Sequence, residues 1–331
     1  MRIRTLSGRP GGVKRTLEPR GAPEPAHAML ALYARLEPAD IQEVRDRLTP
    51  EELAELDVAS DLDRMRLILS FGLRDGTGRV AERTGLRAAV PPADVHSMTR
   101  NDTRQIGGAY YYADLVLDWL TELGFEPPSN ARILDFSCSS GRVSRVLAAV
   151  RPDVRWTGCD PNQGAIAWAS EHLPGVEFFV SPLDPPLPYE GGQLTAAFAL
   201  SVWSHYSAAA ALRWLEEMHR LIQPGGLLLF STHGLNSCQW FERVPQPIIV
   251  ARLGRDWVRK TAGTLERDGH CFWNVFGPDG DHGVHDSDWG LAFFTPEWLL
   301  EHATPQWSVL KYRLGRAEGN QDVYVLRREA R

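Results

Sequence analysis

A run of small residues separates a short apolar segment from a helical pattern between positions 132 and 150. The apolar pair Ile133-Leu134 precedes an acid, Asp135, after which the small residues begin. The apolar residues between 143 and 150 then recur at helical spacing on one face. This order predicts a β-strand, a tight turn and an α-helix. The small residues of the turn are Ser137, Ser139, Ser140 and Gly141.

The turn is predicted to bind a ligand, because small side chains let a ligand approach the backbone closely. The start of the following helix also offers unpaired N–H groups and the positive end of the helix dipole. A dinucleotide-binding loop would need glycine where this chain has Ser137, Ser139 and Arg142, and an arginine does not suit close packing of helix on strand. A P-loop would need Gly-Lys followed by Ser or Thr, which this turn lacks.

The segment Asp135-Phe-Ser-Cys-Ser-Ser-Gly141 resembles the acid-x-Gly-x-Gly-x-Gly loop of class I S-adenosylmethionine-dependent methyltransferases. Serine replaces the first two glycines, and serine adopts positive φ less readily than glycine. Asp160 ends a second predicted strand 19 residues beyond Gly141, where nucleotide-binding βαβ units carry an acid that binds ribose. Similar blocks follow in the order of the family, so the resemblance extends over about residues 105–328. These blocks are residues 182–189, 196–205, 221–230 and 321–327.

The resemblance implies a fold and a cofactor. The implied fold is α/β, a Rossmann-like doubly wound sheet that is mostly parallel, with an antiparallel C-terminal strand and an added N-terminal helical lobe. The implied cofactor is S-adenosylmethionine, with Asp160 on its ribose, Arg104, Tyr110 or Tyr111 on its methionine carboxylate, and backbone groups near Leu183 on its adenine. The predicted cofactor-binding residues are Arg104, Tyr110, Asp135, Ser137, Ser139, Gly141, Asp160, Pro161, Leu183 and Ser201.

Three regions are expected along the chain. Residues 1–25 are rich in Arg, Gly and Pro and are predicted to form a flexible basic tail, the alternative being an arm that contacts a partner or an acidic substrate. Residues 26–95 are predicted to form the helical lobe, in which Thr49-Pro-Glu-Glu52 is a helix-start signal. Residues 96–331 are then the methyltransferase-like domain.

The composition bears on partners and location. The net charge of −6 does not suit a general nucleic-acid binder, which is usually basic. The four cysteines form no Cys-x-x-Cys pair, and the sequence contains no long apolar run or signal-peptide core. We therefore expect a cytoplasmic protein with free thiols and with neither nucleic acid nor membrane as a partner, and we leave a homodimer open.

His205 is the first candidate for a catalytic base. It follows the fourth predicted strand, and open α/β sheets bind ligands outside the carboxyl ends of their strands. Histidine changes its charge near neutral pH, so it suits general-base catalysis. The alternative is a hydrogen-bonding histidine at a helix start, because Ser207 begins the next helical pattern.

A long insertion at residues 233–290 is rich in aromatic residues and histidine. Such loops are usually functional, and aromatic side chains at the mouth of a parallel sheet favour a substrate lid or pocket. The alternatives are a structural subdomain and a dimer contact. No metal is predicted, because the spacing of Cys271, His282, His285 and Asp286 matches no strong zinc signature. We predict His282 as a second base and, as substrate-contacting residues, Trp203, His233, Trp240, Trp273 and His285.

The predicted function is methyl transfer from S-adenosylmethionine to an oxygen or nitrogen of a small or medium organic acceptor, such as a natural-product or sugar-like intermediate. Orientation of the two reactants would supply most of the rate. The serine substitutions leave one alternative open, a non-catalytic protein of the same fold that acts as a partner or scaffold. A nicotinamide-dependent oxidoreductase is the other alternative, and Arg142 and the C-terminal pattern oppose it.

Overall fold

The structure is a computed structural model that describes residues 26–74, 78–92, 95, 104–277, 280–281, 284–303 and 305–329, with the backbone alone at 104–108. The predicted tail, residues 1–25, and the predicted base His282 lie outside the described residues.

Helices and strands alternate through most of the described chain. The helices are α1 (His27–Tyr33), α2 (Pro38–Asp46), α3 (Pro50–Val58), α4 (Asp61–Gly72), α5 (Arg79–Thr84), α6 (Arg104–Glu122), α7 (Arg142–Val150), α8 (Gln163–His172), α9 (Ala208–Leu221), α10 (Leu235–Arg243), α11 (Pro247–Leu253), α12 (Trp257–Asp268) and α13 (Pro296–Ala303). The strands are β1 (Arg132–Phe136), β2 (Arg155–Asp160), β3 (Val176–Val180), β4 (Leu194–Ala199), β5 (Ile222–Thr232), β6 (His270–Trp273), β7 (Leu291–Phe294), β8 (Trp307–Ala317) and β9 (Gln321–Arg328).

Seven strands form one sheet in the order β3-β2-β1-β4-β5-β9-β8. The strands β1 to β5 pair in parallel, whereas β9 pairs antiparallel with both β5 and β8. The chain reverses its direction of travel across the sheet between β1 and β4, so the loops after these two strands diverge and open a crevice. The predicted Rossmann-like sheet with an antiparallel C-terminal strand is confirmed.

Helices cover both faces of the sheet. Along β1, Ile133 packs into one buried cluster and Leu134 into another, because successive strand residues face opposite sides. The cluster around Ile133 includes α6, α7 and the N-terminal helices, and the cluster around Leu134 includes α9 and α13. Burial on both faces explains the continuous apolar runs of the central strands.

The N-terminal helices share the hydrophobic core of the sheet. The Asp114 carboxylate on α6 accepts hydrogen bonds from the backbone N–H groups of Ala28 (2.5 Å) and Met29 (3.0 Å) at the start of α1. The predicted start of α3 is confirmed, since Thr49 and Glu52 form a reciprocal capping box. The Asp114 bonds and the shared core place α1 directly against α6.

Helix α6 is longer than predicted. The sequence predicts a helix from residue 113 to 123, whereas α6 begins at Arg104. Ala109, Tyr110 and Ala113 are all buried, and their spacing puts them on one face of the helix against the core. None of the helices in the described part of the chain combines the length and the apolar character that crossing a membrane requires.

The insertion after β5 folds mainly around its own core. Helices α10, α11 and α12 are followed by β6, which pairs antiparallel with β7. Phe241, Trp257 and Phe293 pack together, with ring centroids 5.1 to 6.2 Å apart. Most aromatic residues of the insertion therefore stabilise this subdomain, and the segment between β6 and β7 is the part that reaches the crevice.

Candidate functional site

A cavity of about 520 Å³ opens at the carboxyl ends of β1, β2 and β4. This volume is within the range of about 300–1,000 Å³ that is typical of small-molecule sites. Its walls come from the serine turn, from the loops after β2 and β4, from α6, from the β8–β9 turn and from the segment between β6 and β7. The lining residues are Tyr112, Asp135, Ser137, Cys138, Ser139, Ser140, Arg142, Val143, Asp160, Pro161, Asn162, Leu200, Ser201, Val202, His205, Phe276, Asp281, Val284, Trp289 and Glu318.

The serine turn keeps the backbone conformation of a glycine loop. Ser137 has φ of 60° and Ser139 has φ of 50°. The Cys138 N–H donates to the Cys159 carbonyl oxygen at 2.9 Å, and the Ser139 N–H donates to the Asp160 carboxylate at 2.8 Å. These bonds to β2 fix the turn in a conformation that serine alone disfavours.

Backbone strain is concentrated around the cavity. Among the described residues, five that are not glycine have positive φ, and four of them line the cavity. Such conformations persist only where the surrounding structure imposes them, and they cluster at functional sites. The four cavity residues are Ser137, Ser139, Ser201 and Glu318.

Gly141 is the position of the turn where serine would not fit. Its φ is 72°, and an added Cβ would lie 2.7 Å from Phe178 Cζ and 2.8 Å from Leu173 Cδ1. Positive φ and close packing both act here, whereas only φ constrains Ser137 and Ser139. The chain therefore tolerates serine at the first two glycine positions of the loop and keeps glycine at the third.

Asp135 is buried at the base of the turn. The Ser144 hydroxyl on α7 donates to its carboxylate at 2.5 Å. Burial raises the pKa of Asp135 to about 7, and the nearby Arg142 guanidinium opposes this rise. Asp135 thus ties the start of α7 to the end of β1.

Asp160 ends β2 with both carboxylate oxygens directed at backbone groups. One oxygen accepts the Ser139 N–H at 2.8 Å and the other accepts the Asn162 N–H at 2.9 Å. Because each oxygen has more than one lone pair, the carboxylate keeps acceptor capacity while it holds the turn.

One part of the cavity wall carries two charged side chains, Arg142 and Glu318, together with the ring of Tyr112. The Arg142 guanidinium carbon lies 5.1 Å from the centre of the Tyr112 ring, and burial lowers the pKa of Arg142. The β8–β9 turn that carries Glu318 is bound to α6, since the Tyr111 hydroxyl accepts the Glu318 N–H at 3.1 Å and donates to the Arg316 carbonyl at 2.6 Å. A cation and an anion thus face the same cavity.

The ring of His205 is held on its faces and at one nitrogen. It stacks on Trp289 with centroids 4.6 Å apart, and the Phe276 ring lies at 5.9 Å. Its Nδ1 lies 2.7 Å from the Gly290 carbonyl oxygen, which only accepts, so Nδ1 carries a proton. In the neutral ring, Nε2 is then the nitrogen that accepts a proton.

The segment that carries Trp289 is anchored to α9. The Asp288 carboxylate accepts hydrogen bonds from the Ser207 hydroxyl (2.7 Å) and from Arg213 (3.0 Å). Arg213 also pairs with Asp184 in the loop after β3 at 2.7 Å. These contacts fix Trp289 against His205.

Several predicted site residues lie away from the cavity. Tyr110 is wrong as a cofactor contact, because it points into the core, where burial raises the pKa of its hydroxyl. Trp203 is fully buried, and its Nε1 donates to the Ala211 carbonyl. Trp240 packs edge-on against Phe241, and Trp273 donates to the Thr261 hydroxyl at 2.9 Å. The predicted substrate contacts of these three tryptophans are therefore corrected to structural roles.

The remaining predicted residues have varied positions. His233 is buried behind the cavity wall, and burial lowers its pKa to about 3, so it is neutral. His285 is exposed and does not line the cavity, whereas Leu183 lines a small adjoining cavity with Ser137 and Pro161. Arg104 begins α6, and its side chain is outside the described part of the structure. Cofactor positions that do line the main cavity are Asp135, Ser137, Ser139, Asp160, Pro161 and Ser201.

Other lining residues were not predicted as site residues. Arg142 argues against a dinucleotide-binding loop in the sequence, and its place at the start of α7 is the signal that indicates a site residue. Trp289 and Phe276 belong to the aromatic residues of the insertion, and nothing in their spacing distinguishes them from the others. Whether Tyr112 faces the cavity depends on the rotation of α6 about its axis, and whether Glu318 does depends on the conformation of the β8–β9 turn. Among the described residues, no group of three or more His, Cys, Asp or Glu side chains is arranged to hold a metal ion.

Comparison with known proteins identifies the type of domain. Residues 133–226 match the family model described as a methyltransferase domain. The chain is 33% identical over 101 residues to trans-aconitate 2-methyltransferase of Methylobacterium nodulans, which is 30% of this chain and 36% of that protein. It is 28% identical over 181 residues to ubiquinone biosynthesis O-methyltransferase of Ruegeria pomeroyi, which is 54% of this chain and 63% of that protein.

One solved structure that the chain matches is 1,6-didemethyltoxoflavin-N1-methyltransferase from Burkholderia thailandensis. Its TM-score is 0.43 at 14% identity, with 67% of this chain and 79% of that chain covered. The matched regions of the two sequence relatives span less than two thirds of each relative's own length.

Proposed function

We propose that this chain, whose residues 133–226 match a methyltransferase domain, is a class I S-adenosylmethionine-dependent methyltransferase that methylates an oxygen or nitrogen of a small or medium organic acceptor. Among these acceptors, the site favours a planar molecule with a hydroxyl group. The observation that carries the proposal is the open cavity beside the serine turn. If side chains filled this crevice, the structure would favour the scaffold alternative. The crevice is open instead, and the serine turn keeps the left-handed backbone of a glycine loop.

The cofactor of this family is S-adenosylmethionine, and the polar groups of the cavity match its parts. Asp160 has acceptor capacity for ribose hydroxyls. Arg142 offers a cation for the methionine carboxylate, and Glu318 offers an anion for its ammonium group. Leu183 and Pro161 give the adjoining cavity an apolar wall that suits adenine. When bound, the cofactor supplies an electrophilic methyl group.

Aromatic side chains form the acceptor side of the proposed site. Phe276 and Trp289 flank His205, and the Trp289 indole N–H donates to Asp281 at 3.1 Å. Flat apolar surfaces of this kind favour a planar acceptor. His205, with a proton already on Nδ1, would take the hydroxyl proton of the acceptor at Nε2.

The partner of His205 Nδ1 is the backbone carbonyl oxygen of Gly290. The Gly290 oxygen orients the ring and fixes the tautomer, but it adds no full negative charge. This arrangement suits an acidic hydroxyl, such as one on an aromatic ring, better than an aliphatic alcohol. The names of the two sequence relatives, one an O-methyltransferase and one acting on trans-aconitate, also support a small organic acceptor.

A methyl-transfer panel tests the proposal. The full chain is incubated with methyl-labelled S-adenosylmethionine and three sets of acceptors: hydroxylated aromatic rings, aliphatic hydroxy acids and primary amines. We expect label in the hydroxylated aromatic compounds at a higher kcat/KM than in the other two sets. Label only in amines would overturn the role of His205 as a base. Absence of both label and S-adenosylhomocysteine binding would favour the scaffold alternative.

A further inference from the structure

A buried polar cluster adjoins the cavity at Ser201. Gln321, the first residue of β9, is 9% exposed, and its amide nitrogen lies 2.8 Å from Ser201 Oγ. Its amide oxygen accepts a hydrogen bond from the Ser231 hydroxyl at 2.7 Å. The Ser231 oxygen in turn accepts the backbone N–H of Ser201 at 2.8 Å. Gln321 and Ser231 therefore hold both the backbone and the side chain of one cavity residue.

His233 fixes the orientation of the Gln321 amide. The Nδ1 of His233 lies 3.2 Å from the Ala292 carbonyl oxygen, which requires a donor, so Nδ1 is protonated. A neutral His233 then has an acceptor at Nε2, which lies 3.4 Å from the Gln321 amide nitrogen. The Gln321 NH₂ group consequently faces His233 and Ser201, and its oxygen faces Ser231.

The hydroxyl hydrogen of Ser201 can point to the Ser204 hydroxyl or into the cavity. Its oxygen accepts from Gln321, and the hydroxyl of the buried Ser204 is 3.3 Å away. That distance is longer than the roughly 2.5–3.0 Å of ordinary O–H···O bonds, so Ser204 is a weak partner. Ser201 is half-buried and lines the cavity, which makes a bound molecule the stronger acceptor for this hydrogen.

The backbone of Ser201 needs support from outside its own loop. Its φ is 61°, a conformation that residues other than glycine rarely adopt. The backbone bond to Ser231 and the side-chain bond to Gln321 both oppose relaxation of this residue. The support comes from β5, 30 residues away in the chain, and from β9, 120 residues away.

We propose that Gln321 is a positioning residue that keeps Ser201 in its left-handed conformation and directs the Ser201 hydroxyl hydrogen into the cavity, where it donates to an oxygen of the methyl acceptor. The inference rests on the proposed function for the identity of that molecule. The claim that Gln321 keeps Ser201 in its left-handed conformation does not depend on any ligand. Ser201 and His205 would thus supply a donor and a proton acceptor from one loop.

The first test is a double-mutant cycle on the unfolding of the ligand-free protein. Gln321→Met is made in the wild-type chain and in Ser201→Gly, which adopts positive φ without strain and has no hydroxyl to pair. We expect Gln321→Met to raise the unfolding equilibrium constant about tenfold in the wild type and at least about threefold less in Ser201→Gly. Equal effects in the two backgrounds would overturn the positioning role. Gln306→Met, at an exposed position, is the control.

The second test separates the acceptor from the cofactor. Gln321→Met and Ser201→Ala are each compared with wild type in S-adenosylhomocysteine affinity and in KM for the hydroxylated aromatic acceptor that the panel methylates fastest. We expect cofactor affinity within about twofold of wild type, KM raised about tenfold in each variant, and no further rise in the double variant. An unchanged acceptor KM in both variants would overturn the donor role of Ser201.

The two tests fail in different ways. If wild type binds no S-adenosylhomocysteine, the proposed function fails, while the unfolding cycle still decides whether Gln321 positions Ser201. If wild type binds and methylates but the cycle shows no coupling, the inference about Gln321 fails alone. A parallel loss of cofactor and acceptor affinity would indicate a merely structural role and would also overturn the proposal.

Discussion

The Nδ1 of His205 lies 2.7 Å from the carbonyl oxygen of Gly290, although 85 residues separate the two in sequence. The Gly290 N–H also donates to the His205 carbonyl oxygen at 2.8 Å, so the two backbones pair around this side chain. The segment between β6 and β7 therefore sets the tautomer and the orientation of the proposed base.

Replacement of His205 tests this role. We expect His205→Gln to lower kcat for a hydroxyl acceptor about 100-fold, within the usual contribution of a general base, and to leave cofactor affinity nearly unchanged. The matched control is His302→Gln, because His302 also stacks on a tryptophan and contacts a carbonyl oxygen through Nδ1, but at an exposed position of α13. Full turnover of His205→Gln would show that the base lies elsewhere or is not required.

Trp289 provides a test of the acceptor surface. Trp289→Leu removes the ring that stacks on His205 and the donor to Asp281. We expect the acceptor KM to rise about tenfold, because a lost aromatic contact is worth about 0.5–1.5 kcal/mol beyond the buried area. Trp240→Leu, which changes a half-buried tryptophan away from the cavity, should leave KM unchanged. Equal effects of the two variants would argue against an acceptor at Trp289.

Asp160 is expected to determine cofactor affinity. Asp160→Asn keeps the shape of the side chain but puts an NH₂ group opposite one of two backbone N–H donors, those of Ser139 and Asn162. Loss of that bond and of a charged ribose partner should weaken S-adenosylhomocysteine binding about 100-fold, or about 2.7 kcal/mol. Calorimetry measures this directly, and an unchanged Kd would remove Asp160 from the cofactor site.

The serine turn gives a prediction about stability. Glycine at position 139 should stabilise the folded state by about 1–2 kcal/mol, because it relieves the left-handed strain. Its greater freedom in the unfolded chain should destabilise the folded state by about 0.5–1 kcal/mol. Alanine keeps the strain. We therefore expect Ser139→Gly to be about 1 kcal/mol more stable than Ser139→Ala in urea unfolding. The opposite order would mean that the side chain at residue 139 stabilises the turn.

Asp114 makes stability depend on pH. Burial raises its pKa to about 7, above the ordinary value of 3.8 for this side chain, despite the N–H groups of Met29 and Ala28. The folded state thus binds the proton more tightly, so this contribution is complete below about pH 3.8 and is lost as the pH rises through about 7.

Asp114→Asn removes that dependence. Between pH 4 and pH 7 the free energy of unfolding of the wild type should fall more steeply than that of the variant, by up to about 1.4 kcal/mol per pH unit. Urea unfolding at several pH values gives both slopes. Parallel curves would show that Asp114 has the same proton affinity in the folded and unfolded chains.

The central strands and the serine turn could be predicted from the sequence because local signals determine them. Asp135 and Asp160 lie at the carboxyl ends of β1 and β2, whose interior residues are buried, and in a parallel sheet such strand ends meet at one edge. These signals require no knowledge of distant contacts, so the cavity could be predicted where the structure has it.

The tyrosines of α6 show why other site residues could not be predicted. Successive helical residues point about 100° apart, so Tyr110 and Tyr112 lie on different sides of the helix. A prediction that starts this helix at residue 113 contains no information about their direction. Tyr110 packs in the core and Tyr112 lines the cavity for this reason.

Residues that act through contacts between distant parts of the chain could not be predicted from the sequence either. Trp257 and Trp289 are both tryptophans of one insertion, yet one packs against Phe293 and the other against His205. Gln321 reaches Ser201 only through the pairing of β9 with β5. Composition and spacing do not specify such tertiary contacts.

Titration of the full chain with S-adenosylhomocysteine in a calorimeter is the most direct test of the cofactor assignment. The open serine turn and Asp160 predict binding of one molecule per chain with a Kd in the micromolar range and a much weaker Kd for Asp160→Asn. No binding heat at millimolar ligand, at more than one temperature, would contradict a methyltransferase site in this cavity.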